Sequence, residues 1–511
     1  YDYSYISSLL SICYKGYIMA SCSSLSLTNA RPLDVHKWSD YPEVNFFVNH
    51  IYNLLIGLDG NERIDKKHLK VLLLDLYVAW LADPTLKIMF SRNNNSYRSK
   101  SRYNEIHIGK KIIAVVDALS DVGLLNQKLG FNDRISGTAF QSRLWPSEKL
   151  IEFFYETKFH QFYIHSNDDR ETIVLRDENK VDIEDYKDTI AVKRMRQLLY
   201  DYNKLLAATH IDIETLDVPV LTIGSGKKKM TLQISQQDKF VRRIFNNSRW
   251  DQGGRFYGGW WQRCPKQYRM RIVFDHVLTA EIDFSGLHII ILYAQQGVDY
   301  WLEVNRDPYI LPNLAGIDPE IDMRSVAKSL LLVAINSNDE VQTYRAFRRQ
   351  AKSGSREKKL TDSQLSAILV GLKQLHEPIA DSFASGAGIN LMYVDSQITA
   401  KIIERFTYHY KCPILTIHDS YIVPFGYDYI LKEEMQKAFE AVTGISGARV
   451  KHTTAYYDLL DYEGADWSEV LPSCYDSSQP SQRHLEEVEL FRVFRDKPQR
   501  EDWVSDRTSF Y

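Results

Sequence analysis

Leu278-Thr-Ala-Glu-Ile-Asp283-Phe-Ser-Gly-Leu-His288 is the stretch on which the reading of this chain turns. It reads as a β-strand that ends at an acidic residue and then turns through Gly286 into an apolar helix, Ile289 to Ala294. A carboxylate at a strand end is held by the sheet and faces an open edge. A second stretch, Pro413-Ile-Leu-Thr-Ile-His418-Asp419-Ser420-Tyr-Ile-Val-Pro424, predicts two short strands with His418 and Asp419 at the tight turn between them. Two such acids meeting at one sheet edge make a divalent-metal site. Mg²⁺ keeps several waters and needs only one or two carboxylates plus phosphate oxygens, so two Asp residues suffice.

Taken singly, a strand-end Asp is often a turn former and a His-Asp pair is commonplace. The third segment, Arg324-Ser-Val-Ala-Lys328, adds information, because residues four apart on a helix project from one face. Two cations at that spacing repel unless an anion lies between them, and a triphosphate is a natural one; the plainer reading is two solvated charges. A fourth segment, Gly253-Gly254-Arg255-Phe256-Tyr257-Gly258-Gly259-Trp260-Trp261-Gln262, offers close backbone approach to a ligand and rings that stack on bases. Its plainer reading is a loop packing its aromatics into the core. The order of the four segments along the chain is more informative than any one of them.

The chain has 511 residues, 44% hydrophobic and 25% charged, with a net charge of -3. These values suit two or three globular domains and give no global attraction for a phosphate backbone, so nucleic-acid contacts must come from local basic surfaces. Cys13, Cys22, Cys264, Cys412 and Cys474 form no C-x-x-C pair, which argues against a zinc ribbon or disulfide framework and for a reducing, cytoplasmic setting. No apolar run is long enough to span a membrane, and Asp2 and Lys15 make a signal peptide a poor reading of residues 5–20. Residue 1 is Tyr and Met19 is a candidate start, two readings the sequence leaves open.

From Tyr41 to about Phe154 the pattern is helical with one hairpin. Leu69, Leu72, Leu73, Leu76 and Trp80 share a helix face, a second helix runs from Lys110 to Val122, and extended runs follow at Leu124–Leu129 and Phe140–Trp145. Helices followed by a two-stranded ribbon make a winged-helix pattern. Arg92, Arg98, Lys100 and Arg102 form a basic loop without nearby acids in the sequence, suited to duplex phosphates or simply to solvent. One long helix is expected over Ile183–Ala208, a basic glycine turn at Gly224–Lys229, and a mobile or surface-wrapped polar tail after Ser473. The basic run from Arg345 to Lys359 suits a flexible segment touching a template backbone, or a solvated face.

With these segments in view, residues from about Arg242 to Val442 resemble the palm and fingers shared by family A DNA polymerases and phage-type single-subunit RNA polymerases. The resemblance implies that Gly254-Arg255-Phe-Tyr257 contacts the template–product duplex. It implies that Asp283 is a metal ligand, joined by the Phe284 carbonyl and by Asp419, and that His418 supports the growing end. Arg324 and Lys328 would hold the incoming triphosphate, Lys328 also donating a proton to the leaving pyrophosphate. The R-S-V-x-K wording and Ser420 are closest to the RNA polymerase branch. Five residues after Asp283, where the DNA enzymes carry Glu and the RNA enzymes Gly, stands His288, a bulk that favours deoxynucleotides. The fingers tyrosine eight residues after the lysine is replaced by Asn336, and His288 with Asn336 is a candidate substitute pair for nucleotide binding. Gln397, on a helix expected over Asp395–Phe406, would lie near the primer terminus, although a structural role suits it better.

The expectation is therefore an α+β chain: an N-terminal extension (1–40), a winged-helix-like domain (41–160), a helical thumb-like connection (161–240), a right-hand polymerase palm and fingers (241–472) and a polar tail (473–511). The expected function is a DNA-directed DNA polymerase without proofreading, since the N-terminal half lacks the clustered acids of an exonuclease. It would use two Mg²⁺, with Mn²⁺ as a substitute, and act on nucleoside triphosphates with a DNA template and primer, in a replication-associated setting such as a phage or mobile element. Alternatives are a single-subunit RNA polymerase or primase making an RNA product, and a non-catalytic replication initiator. A His-Asp phosphohydrolase is disfavoured, because those sites need further His and Asp ligands on helices.

Overall fold

In the computed structural model, residues 27–59, 64–133, 138–224, 230–312, 316–452 and 479–495 are described. The chain begins with β1 (Ala30–Pro32) and α1 (Pro42–Asp59). Asp65 then accepts from the Lys67 and His68 amides and starts α2 (Lys66–Ala82), buried from His68 to Leu81. A helix apolar nearly all round belongs inside a domain, and α2 is the pillar of the N-terminal core. After β2 (Lys87–Phe90) comes α3 (Lys111–Asp121), where the second helix was expected, with Gly123 at φ 74° just beyond it. The expected ribbon is β3 (Leu125–Lys128) paired antiparallel with β4 (Ser142–Pro146), and α4 (Glu148–Tyr155) follows. The sheet order is β1-β2-β4-β3, with only the β1–β2 pair parallel.

The second core is entered at β5 (Ile173–Leu175). The helix expected from Ile183 starts instead at Ile190, as α5 (Ile190–Ala207), because the Thr189 side chain accepts from the Val192 amide and caps it there. The preceding residues are committed elsewhere. Tyr103 donates to the Ile183 carbonyl, Tyr186 donates to the Ile173 carbonyl, and Asp188 accepts from Arg196.

The second core surrounds a sheet of β6 (Ile211–Ile213), β9 (Ile272–Phe274), β10 (Val277–Phe284), β12 (Ser420–Pro424) and β11 (Leu415–Ile417), in that order and antiparallel throughout. β13 (Val450–His452) lies beside the last three residues of β10. A smaller sheet joins β7 (Val241–Phe245) to β8 (Gly253–Gly258) and β5. The helices around these sheets are α6 (Leu287–Gln295), α7 (Met323–Ile335), α8 (Glu340–Gln350), α9 (Asp362–Leu375), α10 (Gly388–Glu404) and α11 (Asp428–Thr443). The first half of the basic run expected to be flexible is thus helical, and Arg348 and Arg356 are paired with Asp362 and Asp318.

Part of the tail expected to be mobile or surface-wrapped is a docked helix, α12 (Gln482–Arg495). Its Phe491 packs on Phe162, its Phe494 on Tyr163, and its Arg483 pairs with Asp212 of β6, giving it apolar and ionic anchors that composition does not reveal. The turn at Gly224–Lys229 falls mostly outside the described residues, as do Cys13, Cys22 and Cys474. Cys264 and Cys412 are buried and unpaired by disulfide. Among the described residues no helix is long and apolar enough to cross a membrane.

Candidate active site

The strand register builds the site. β10 and β12 pair so that Asp283 stands opposite Ser420, and β11 and β12 pair so that Ile417 stands opposite the same residue. His418 and Asp419 therefore form the turn at the end of β10 where Asp283 emerges. His418 takes φ 58°, the left-handed conformation that closes this two-residue turn, and the Phe284 amide donates to the Asp419 carbonyl at 3.3 Å. Past Phe284, Gly286 at φ 71° turns the chain into α6. Two residues before Asp283, on the same face of β10, Glu281 is buried against Arg269 at 2.8 Å and accepts the Ser420 hydroxyl at 2.7 Å. Glu281 is thereby paired, and it braces the hairpin.

Partial desolvation, then the nearby Asp419 carboxylate, push the Asp283 carboxyl up to about 7, while Lys451 and Lys328 pull the other way. Adjacent carboxylates that resist ionising together are short of positive charge, which is the donor set a hard dication fits. Asp283, Asp419 and the Phe284 carbonyl are the groups that would hold Mg²⁺ there. The proton and the dication compete for this pair. The raised folded value means that above about pH 7 the folded state carries the full repulsion, whereas as pH falls toward the ordinary carboxylate value near 3.8 Asp283 protonates and the repulsion is relieved. Millimolar Mg²⁺ is therefore expected to raise the melting temperature at about pH 8, by linkage equivalent to about 1.4 kcal/mol at ten times Kd, and to have little effect at about pH 5.5. Equal shifts in differential scanning fluorimetry at both pH values would contradict this.

Arg255 projects from β8 with its guanidinium 2.6 Å from Asp395 of α10, whose side chain is 1% exposed, and 2.9 Å from the His288 Nε2. Burial raises Asp395 to about 6 despite the Arg255 cation, and burial next to Arg255 lowers His288 to about 4, keeping that imidazole neutral. His418 is lowered by desolvation and by the same Arg255. A small cavity between β8, α10 and the β11–β12 turn is lined by Arg255, Thr399 and His418. The glycines of this segment serve packing rather than ligand approach. A Cβ on Gly254, at φ 75°, would lie 2.8 Å from both Phe245 and the Ser396 hydroxyl, and the Gly254 carbonyl accepts from Arg243 at 2.7 Å. Trp260 and Trp261 are fully buried, so the core reading holds for them, while Tyr257 stays half-buried on β8.

On α7, Asp322 caps the first turn, Val326, Leu330 and Leu331 are buried, and Arg324 and Lys328 are exposed. The expected anion between the cations is in part supplied by the protein: Arg324 pairs with Asp307 at 2.7 Å. Arg324 and Lys328 also lie 5.6 and 5.7 Å from the Tyr309 ring centre. Tyr309 is buried, raised to about 12 by desolvation and by Asp307, and it feels Asp419 and Asp283 as well. The ring thus links the carboxylates to the cationic helix. Asn336 sits at the C-cap of α7, its amide donating to the Leu332 carbonyl at 2.7 Å, close against Gly388 of α10.

The N-terminal basic loop is not free of acids. Arg92 pairs with Asp117 of α3 at 2.8 Å, Arg98 with Glu184 at 2.9 Å, and Arg102 with Asp188 at 3.2 Å while covering the Tyr186 ring. Those partners lie 25 to 86 residues away in the chain, so a local reading misses them. Lys100 is exposed. Sequence reasoning also passed over Asp395, Asp307 and Tyr309. Asp395 left one signal, since it falls on the buried stripe of α10 with Leu391, Ile398 and Ile402, where an acid requires a partner.

No protein-family model and no curated protein matches the chain. Among solved structures, the chain is similar to the POL domain of Pol1 from M. smegmatis in complex with DNA primer-template and dNTP, at 11% identity and a TM-score of 0.30. That alignment covers 43% of this chain and 47% of the other, so the chain spans about half the length of the structure it matches.

Proposed function

We propose that the chain is a template-directed nucleotidyltransferase, a DNA-directed DNA polymerase without proofreading, built as a right hand with a winged-helix-like N-terminal domain. The observation that carries this reading is the strand register that sets Asp283, at the end of β10, beside the His418–Asp419 turn leading into β12, with Asp283 raised to about 7 and the α7 cations facing it across Tyr309. Two Mg²⁺, or Mn²⁺ in their place, would supply charge to the attacking and leaving oxygens of an in-line displacement.

The protein's own groups do the rest. Asp283, Asp419 and the Phe284 carbonyl orient the metal-binding edge. Lys328 and Arg324 bind triphosphate oxygens, for which Arg324 exchanges the Asp307 carboxylate for phosphate, and Lys328 would give a proton to the departing pyrophosphate. Arg255, held by Asp395, keeps His288 in place beneath the sugar, where its bulk disfavours a ribose 2′-hydroxyl, and His418 supports the primer end. Asn336 shapes the far end of the nucleotide site. Tyr257, together with Arg92, Arg98, Lys100 and Arg102, lies along the duplex; the three arginines contribute there by exchanging their acidic partners for phosphates.

Lys328→Ala is expected to lower kcat/KM for the triphosphate about a hundredfold, with a raised KM. Arg324→Ala should cost less, because Asp307 already competes for that guanidinium. Steady-state incorporation kinetics separate the two. The test of the function itself is extension of a primed and an unprimed DNA template with deoxynucleotides or ribonucleotides. Primer-dependent use of deoxynucleotides is the expected result. Unprimed synthesis with ribonucleotides would favour the RNA polymerase or primase reading suggested by R-S-V-x-K and Ser420, and no incorporation under any condition would favour a non-catalytic DNA-binding role.

A further inference from the structure

Away from the paired aspartates, a second set of donors converges where α12 meets the sheet. His210 immediately precedes β6 and Asp212 is its middle residue, and His484 comes from the first turn of α12, more than 270 residues later. All three are fully buried, and one ligand atom from each lies within 4.8 Å of the others. Glu214 and His276 make a second group of the same kind around His484.

The hydrogen bonding of this cluster is incomplete. Both ring nitrogens of His210 and the Oδ1 of Asp212 are buried without a hydrogen-bond partner. A buried polar atom left unmatched costs about 1–3 kcal/mol, and three of them in one spot call for an occupant. The remaining valences are fixed as a metal site's surroundings are. Asp212 Oδ2 accepts from Arg483 at 2.7 Å and lies 2.6 Å from His484 Nδ1, and His484 Nε2 is 2.9 Å from His276 Nδ1. His210 offers a ring nitrogen engaged by no other group, and Asp212 offers its Oδ1 while Arg483 occupies Oδ2. Imidazoles around one carboxylate suit a borderline dication such as Zn²⁺, whereas Mg²⁺ prefers all-oxygen sites.

We propose that His210, Asp212 and His484 bind one transition-metal dication of the zinc class, bordered by His276 and Glu214, and that this ion fastens α12 to the sheet. The site is independent of the paired aspartates, and its role is structural. Binding opens the His484–Asp212 contact enough to admit the ion, with Arg483 keeping the second carboxylate oxygen.

The test uses the untagged full chain, stripped with a chelator and titrated with Zn²⁺ by calorimetry and with Co²⁺ by visible absorption. One equivalent of Zn²⁺ and the d–d bands of an imidazole-ligated Co²⁺ are expected, with slowed amide hydrogen exchange over residues 482–495. His210→Ala and, separately, His484→Gln should each weaken Zn²⁺ at least tenfold, whereas Asp419→Asn should leave it unchanged. Absence of stoichiometric Zn²⁺ binding by the wild-type chain would overturn the proposal without reference to any variant's folding. Binding of equal strength in His210→Ala would overturn it too, by showing an adventitious ion only.

Discussion

Asp419→Asn is expected to reduce template-dependent extension by about a thousandfold or more and, at the same time, to stabilise the metal-free protein. The two effects have one cause. Asp283 is raised to about 7 by desolvation and by the Asp419 charge, so removing that charge lets Asp283 return toward its ordinary carboxylate value and removes a repulsion from the folded state. The same substitution takes away half of the anionic donor set, and loss of a group acting on transition-state charge typically costs several kcal/mol. Asp283→Asn should behave alike, and the double variant should be no worse than either single one, because the carboxylates act as a unit. A variant that loses both activity and stability would point to a purely structural Asp419.

Asp395→Ala is expected to cost about 3–5 kcal/mol of folding stability, because it leaves the Arg255 guanidinium beneath the site without its buried partner. Both side chains are largely removed from water, at 15% and 1% exposure, so solvent does not compensate. Asp395→Asn should be milder, as an amide still accepts from Arg255. Replacing both partners with apolar residues, Arg255→Met with Asp395→Leu, should restore much of the stability but none of the duplex positioning proposed for Arg255. Chemical denaturation of the four proteins separates these outcomes, and full stability in Asp395→Ala would contradict the buried-pair account.

The hairpin and the strand carrying the two aspartates were legible in the sequence because their signals are local. An alternating apolar run, a Gly286 that must turn and a two-residue gap between short strands determine β10, β11 and β12 almost residue by residue. The same holds for α7, which has an Asp322 cap and a regular apolar stripe. What local pattern cannot carry is pairing across the chain. Arg92, Arg98 and Arg102 look unopposed until Asp117, Glu184 and Asp188 fold against them, and Arg324 looks free until Asp307 arrives from 17 residues upstream. Thr189 makes α5 start later than its periodicity predicts for a related reason, since capping and the tertiary bonds of Ile183 and Tyr186 override helix periodicity. The tail's helix was not legible from composition. Gln482–Arg495 is polar in composition, yet His484, Val488 and Phe491 are enough to bury one face.

Mn²⁺ binding followed by electron paramagnetic resonance tests most directly whether Asp283 and Asp419 share a metal. Titrated at about pH 8 in the presence of a non-hydrolysable nucleoside triphosphate, the wild-type chain should bind Mn²⁺ that Asp283→Asn and Asp419→Asn each lose, while His210→Ala retains it. Identical Mn²⁺ occupancy in the wild-type chain and both Asn variants would contradict the account.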